Sequence, residues 1–429
     1  MTTLRLAYRS PALALPQVQA QEEEGPALDA AHWRFGLGIQ AVRGWAPHKP
    51  PEPDGPGLPW DPRAAGLCES RTAAACPEVR LYPEAWAEWI APRPWGDGSS
   101  LSLWAGWRPV PGGPLAGSEL SASRRAPAAL GWGGSAGLGP AALYERWMLK
   151  LEGGLDRYLV GHRMRLQPAR ALTLWVYEIG VVTGRFLSQA FTWLPFWPMY
   201  LTQHLALRSG ALSAGNDDAN LHIGVAGRLR LGPTGLELAG ELFVDDMQQP
   251  FKPTPQPDQV GLAVMASWSP SGLPGSSERM EVDYRRVHRF VYTFQRPALS
   301  YVHGGLTLGE PDGPDGDHLR FRWSRPGRSP SWVGLEWRRR GPGRLGEVWE
   351  RRLSGVEARA SQFLAGPVEH TLLALVGWEA PFAGAGASVE AASSGSWRLE
   401  LAAGPVIDVA GEPGRLGWLF QLGMQAHLP

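Results

Sequence analysis

The densest run of chemically useful side chains lies between Arg320 and Arg352, where ten arginines meet three glutamates. Guanidinium groups offer planar forks of donors that match carboxylates and phosphates. Such a segment suits an acidic partner, or it forms the polar face of several strands. Arg338, Arg339 and Arg340, next to the loop expected to begin at Gly341, are the residues expected to reach a ligand. Catalytic arrangements are weaker. Gly133-Gly134-Ser135-Ala136-Gly137 has the spacing of a nucleophile elbow, which needs a buried strand before it and a helix after it. Gly131-Trp132 precede it and Leu138-Gly139-Pro140 follow, so the segment reads as a glycine-rich turn. Asp245 and Asp246 are adjacent, and neighbours on a strand face opposite ways, so they do not form a glycosidase pair. Asp217 and Asp218, in the stretch Gly215–Asn220, fit a solvated loop, or a site for calcium or sugar hydroxyls. The ten histidines are scattered, with no H-E-x-x-H, Walker loop or dinucleotide fingerprint among the motifs. Neither an enzyme activity, a cofactor nor a metal is expected.

The elements that would carry these residues read as strands. From Leu416 the even positions run Leu416, Trp418, Phe420, Leu422, Met424, Ala426, Leu428, while the odd ones are mostly small or polar. A strand sends successive side chains to opposite faces, so this segment has one continuous apolar face. His32–Val42, Leu221–Leu231, Leu319–Ser324, Val333–Arg338 and Trp397–Leu401 alternate in the same way. In Met280–Phe294 the apolar register shifts near Arg286, as at a bulge or a strand end. Gly232–Gly235 suits a tight hairpin turn, whereas Ala46–Arg63 and Pro311–Asp317 are longer or turn-rich. Pro83–Ile90 (PEAWAEWI) is the best candidate for a helix, as a minor element outside the sheet or inside its lumen.

Composition points the same way. The chain carries 54 Gly, 40 Pro and 21 Trp, and 19% of its residues are charged, so turn residues recur too often for long helices. Tryptophan favours membrane–water interfaces, where its ring is apolar and its N–H stays wet. Net charge is zero, so no global field points to nucleic acid. The excess of arginine over lysine is what a GC-rich genome produces with no functional cause. Cys68 and Cys76 lie in a Pro- and Ala-rich stretch, where a small disulfide and two free thiols are both compatible with the spacing. Residues 1–20 resemble the worn remnant of a secretory signal, which leaves 21–429 as the folded part. The fold expected is all-β: a closed antiparallel transmembrane barrel of about 16–18 strands with a minor helical element. Its place is the outer membrane, its surroundings are outer-membrane lipid, and its C-terminal strand resembles the signal read by barrel-insertion machinery.

The stretch from Leu143 to Trp323 resembles the capsule-assembly family named Wzi. The likeness rests on Asp156–Leu166 (DRYLVGHRMRL), Ala171–Val182 (ALTLWVYEIGVV), Leu194–Tyr200 (LPFWPMY), Gly215–Ile223 (GNDDANLHI) and Glu241–Gln248 (ELFVDDMQ), in that order. The resemblance implies an outer-membrane barrel lectin that retains capsular or extracellular polysaccharide and assists capsule assembly. Within the matched motifs His162, Arg165, Glu178 and Asp245 are expected to form a polar network facing the lumen. A porin-like channel for small, anionic solutes is the alternative, with the arginine-rich strands lining the pore. A soluble all-β carbohydrate-binding protein is a more distant reading.

Overall fold

In the computed structural model the described residues are 4–6, 13–14, 32–45, 77–92, 99–183 with short gaps, 198–199, 219–246, 259–270, 278–292, 299–343 with short gaps, 364, 367–381, 396–407 and 416–427. Two short N-terminal strands, β1 (Leu4–Leu6) and β2 (Leu13–Ala14), come first. Then follow β3 (His32–Trp45), β4 (Pro77–Pro92), β5 (Ser99–Arg108), β6 (Ala129–Leu138), β7 (Ala142–Lys150) and β8 (Tyr158–Ala169). After these come β9 (Leu172–Val182), β10 (Ala219–Leu231), β11 (Leu236–Asp246), β12 (Gln259–Trp268) and β13 (Arg279–Val287). Two-residue strands β14 (Val302–His303) and β15 (Leu306–Thr307) form a small hairpin of their own. The chain closes with β16 (Gly316–Arg325), β17 (Ser331–Arg340), β18 (Glu369–Pro381), β19 (Ser396–Ile407) and β20 (Leu416–His427).

From β3 to β20 each long strand pairs antiparallel with the next, β13 passing directly to β16, within one eighteen-stranded sheet. The two ends of this meander meet at the N-terminal segment. There β1 runs parallel to β20, β2 runs antiparallel to β3, and β2 also lies alongside β20. The sheet is therefore curled into a barrel. Connections alternate in length. Residues 139–141, 170–171 and 232–235 turn tightly at one end, and residues 109–128, 183–218, 288–315 and 341–368 join strands at the other. The Gly232–Thr234 turn is a single 3-10 turn, with Gly235 at φ 65°, a conformation that favours glycine.

Side chains obey the strand period, with the usual distribution reversed. Val176 is 47% exposed and the next residue, Tyr177, 3%; Val264 is 50% exposed and Ala263 fully buried. Among the described residues thirty large apolar side chains are exposed, and all of them sit on strands. The opposite face holds Glu241, Asp245, Asp283, Arg285 and Glu336, all buried. Apolar outside and charged inside is the arrangement of a barrel whose outer solvent is lipid. A soluble sandwich buries its apolar face and leaves its charges wet.

Two sequence expectations are overturned. Pro83–Ile90 is not a helix but the middle of β4, paired with β3 and β5. Its helix-like spacing of Trp86 and Trp89 puts the two rings on opposite faces: Trp86 lies across from Gly106 and Trp89 across from Leu103. Backbone pairing on both sides outweighs the modest helical preference of Ala and Glu. Gly133–Gly137 is not a turn but the centre of β6. Gly133 lies directly across from Trp104, and a methyl group there would sit 2.6 Å from that ring. The glycine makes room for an indole lying flat on the wall. The shift foreseen near Arg286 is a strand end, since β13 stops at Val287. Asp217, Asp218, Cys68, Cys76 and Ala46–Arg63 lie outside the described residues.

Candidate functional site

At the long-loop end the lumen is filled by the chain itself. Residues of the β5–β6 connection (Leu120, Ala122, Ala126) and the β13–β16 connection (Val291, Tyr292, Leu299, Tyr301, Leu308) pack with inward-facing Tyr177, Ile179, Phe243 and Ala263 into one apolar core. The two connections interlock. Tyr292 Oη donates to the Leu120 carbonyl at 2.7 Å, and Tyr301 Oη to the Ser121 carbonyl at 2.6 Å. Their rings stack 5.6 Å apart. Burial of phenols against an apolar wall is compatible with folding because each hydroxyl finds an acceptor.

Wall residues fasten this plug. Asp245 accepts the Tyr292 amide at 2.9 Å and approaches His222 Nε2 at 3.2 Å, both side chains being buried. Tyr301 meets the His222 ring edge-on at 4.8 Å. Asn220 donates to the Leu299 carbonyl, and Arg157 donates to the carbonyls of Ser300 and Val302. Arg285 bridges Asp283 on its own strand and Glu310 of the plug, each at 3.2 Å. Burial draws the Arg157 guanidinium down to about 10. Burial, reinforced by Arg157, draws His303 down to about 4, so this imidazole is neutral inside the plug at pH 7.

The inner wall carries a repeated device. Trp104, Trp147, Tyr177 and Trp332 all face inward, and each lies directly across from a glycine on the next strand: Gly133, Gly161, Gly224 and Gly377. A side chain at any of these glycines would strike the facing ring. Guanidinium groups then cover several of the indoles, Arg108 over Trp104 at 5.0 Å, Arg163 over Trp147 at 5.9 Å and Arg322 over Trp332 at 4.7 Å. Such stacks are worth about 0.5–2 kcal/mol each and hold the cations in fixed orientation.

The residues singled out in the sequence are brought together only in part. His162 and Glu178 are direct cross-strand partners, Nε2 to Oε2 2.9 Å. A carboxylate only accepts, so Nε2 carries the proton and Nδ1 faces the Tyr144 hydroxyl at 3.2 Å. The pair shares the outward face with Met164 and Val176, not the lumen. Met199 covers it there, its amide donating to Glu178 at 2.6 Å. Met199 also packs with outward Met148, Val160, Val182 and Leu221. Arg165 faces inward nearer the short turns, and Asp245 faces inward at the long-loop end, against the plug. Arg338 pairs with Glu336, and Arg339 pairs with Asp317 and lies over Trp337 at 4.8 Å. Arg338 and Arg340 share the inward parity of Glu336, while Arg339 takes the outward parity of Trp337. Sequence reading missed His222, Tyr292, Tyr301 and the glycine–aromatic pairs. Parity was the available signal for one error: His162 and Arg165 are three residues apart on a strand, hence on opposite faces.

An inverted barrel wall around a plugged, charged lumen defines a membrane-spanning β-barrel of the outer-membrane type. No family model and no curated protein matches the chain. Wzi of Escherichia coli, an outer-membrane protein involved in group 1 capsule assembly and described as a carbohydrate-binding β-barrel, has a similar structure. It aligns at TM-score 0.49 and 13% identity over 93% of this chain and 78% of its own. OccD3 (OpdP) of Pseudomonas aeruginosa aligns at 0.45 and 8% over 92% and 81%. A doubly substituted form of OccD1 (OprD) aligns at 0.45 and 11% over 92% and 84%. These likenesses are ones of overall shape; the barrel follows from this chain's own strand pairing and side-chain alternation.

Proposed function

We propose that this protein is an outer-membrane barrel that holds capsular or extracellular polysaccharide at the cell surface and assists its assembly, without a catalytic step. The observation that supports this best is the plug. Two interlocked connections occupy the lumen at the long-loop end, where a solute channel needs open water. Long loops of such barrels face the outside, so the plugged end presents a broad surface rather than a mouth. The order and spacing of the motifs between Leu143 and Trp323 favour the same reading. Its partners are the polysaccharide, the surrounding lipid and the machinery that inserts barrels.

A channel for small anions is the second reading, favoured by the arginines stacked on the inner wall. Planar-bilayer recording of the purified barrel, together with polysaccharide retention on cells carrying or lacking it, separates the two. The surface-binding reading expects near-silent bilayers and a loss of retained polysaccharide on deletion. Steady ohmic conductance with unchanged retention would refute it in favour of the channel.

A further inference from the structure

Several described arginines of the inner wall are matched by acids. Arg163 pairs with Glu145, Arg230 with Glu237, Arg285 with Asp283 and Glu310, Arg320 with Asp283, and Arg338 with Glu336. Arg165 and Arg228 differ. Both take inward positions and are half-buried, and among the described residues neither has a carboxylate partner. They flank the same indole. Arg165 lies directly across from Trp175, and Arg228 lies across from Thr173, one pair further along. The Arg228 guanidinium sits over the Trp175 ring at 5.7 Å.

Three consecutive strands thus present cation, aromatic ring and cation. The backbones of β8 and β10 are two strand spacings apart, about 10 Å, which two extended arginine side chains span. Leu115, from the connection that plugs the lumen, packs on Trp175 and Ala226 and roofs the position on the long-loop side. Towards the short turns the wall opens: along β10 the inward residues pass from fully buried His222 through half-buried Arg228 to exposed Arg230. Two cations on alternate strands beneath the same roof repel one another, and a shared anion removes that cost.

We propose that Arg165 and Arg228, braced by Trp175, form a binding site for an oxyanion group reached from the short-turn side, the carboxylate of an acidic saccharide being the ligand chemistry that fits. The saccharide source draws on the polysaccharide reading for its chemistry alone, since the site opens at the end opposite the plugged surface, and the anion site does not rest on it. The test uses the full chain in detergent micelles, titrated with tri-galacturonate, with acetate and with neutral maltotriose and followed by calorimetry. Tri-galacturonate should bind, more weakly at high salt, and the double variant Arg165→Gln/Arg228→Gln should lose at least tenfold in affinity. Acetate competing as well as the trisaccharide assigns the site to small carboxylates and leaves it standing. Unchanged affinity in the double variant, or no binding of either carboxylate, overturns the site. Heat-modifiable gel mobility checks folding, and the single Gln variants replace the double one if it fails to fold. Polysaccharide retention on whole cells is scored separately. A barrel that binds the probe through these arginines but retains nothing refutes the surface reading alone; the converse refutes the site alone.

Discussion

Two histidine–carboxylate pairs stand back to back through the same piece of wall. His162–Glu178 lies outside and His222–Asp245 inside, and the register puts Ile179 across from His222 one residue after Glu178. Their separations differ little, 2.9 against 3.2 Å. Their covers differ completely. The outer pair is covered by Met199, whose amide uses the carboxylate as its acceptor. The inner pair is sealed by Tyr301 and Tyr292, whose amide uses the carboxylate in the same way. In both, a wall acid fastens a returning connection, so burial here is decided by what folds back over the wall rather than by the side of the wall. Only the inner pair fastens something that fills the lumen.

The sharpest way to separate the pairs is to remove each acid. Removing the acid of a buried pair leaves its polar partners unsatisfied and costs about 1–3 kcal/mol. Asp245→Ala and Glu178→Ala should both lower stability to urea on that scale. Asp245→Ala alone should raise conductance in planar bilayers, because it frees the Tyr292 amide and loosens the plug. Equal conductance in the two variants would erase the distinction between the covers.

Where no connection covers the outer face, lipid must. The register sets Leu422 across from Leu401, which is exposed, and Gln421 across from Ala402, which is buried. An arginine on a lipid face at the midplane costs about 2–4 kcal/mol. Leu422→Arg should therefore cut the yield of heat-modifiable barrel in membranes, and Gln421→Arg should be tolerated. Similar yields from both would show that the two faces of β20 are wrongly assigned.

Glycines sharpen the same contrast with a smaller effect. A methyl group at inward Gly161 would sit 2.5 Å from the Trp147 ring, whereas at outward Gly227 its nearest neighbour is 3.5 Å away. Overpacking of this kind costs about 1–3 kcal/mol. Gly161→Ala should lower the urea midpoint and Gly227→Ala should leave it nearly unchanged; the opposite order would show that the facing ring is not confined by its glycine.

The smallest effect concerns pH. His303, in the plug, titrates at about 4 against an ordinary 6.5, chiefly because burial disfavours its charged form and secondarily because Arg157 is near. The folded value lies below the unfolded one, so below 6.5 the unfolded state takes up the proton first. Plug stability is whole above about pH 6.5 and is lost as pH falls towards 4. Amide exchange across Leu299–Leu308 should speed up over that window, and His303→Asn should flatten the dependence.

Period-2 alternation is a local property, and it made most of the barrel legible. His32–Val42, Leu221–Leu231 and the C-terminal apolar face all fall on strands. The reading failed where a local preference competed with pairing. Pro83–Ile90 carries residues that suit a helix, and the glycines of Gly133–Gly137 suit a turn; ladders on both sides settled each as a strand. The site was less legible. Alternation alone separates His162 from Arg165, since three steps along a strand reverse the face. No local rule says that Met199 covers Glu178, that Tyr301 reaches Ser121 across 180 residues, or that Leu115 roofs Trp175. Those contacts depend on long connections returning to the wall, where their energy comes from partners far away in sequence. The sequence by itself determined which face each strand turns to lipid and which to the lumen, because side-chain direction is set by the backbone of each residue. Only the tertiary structure decided which polar groups are covered, and by what, because burial belongs to the surface that another part of the chain happens to occupy.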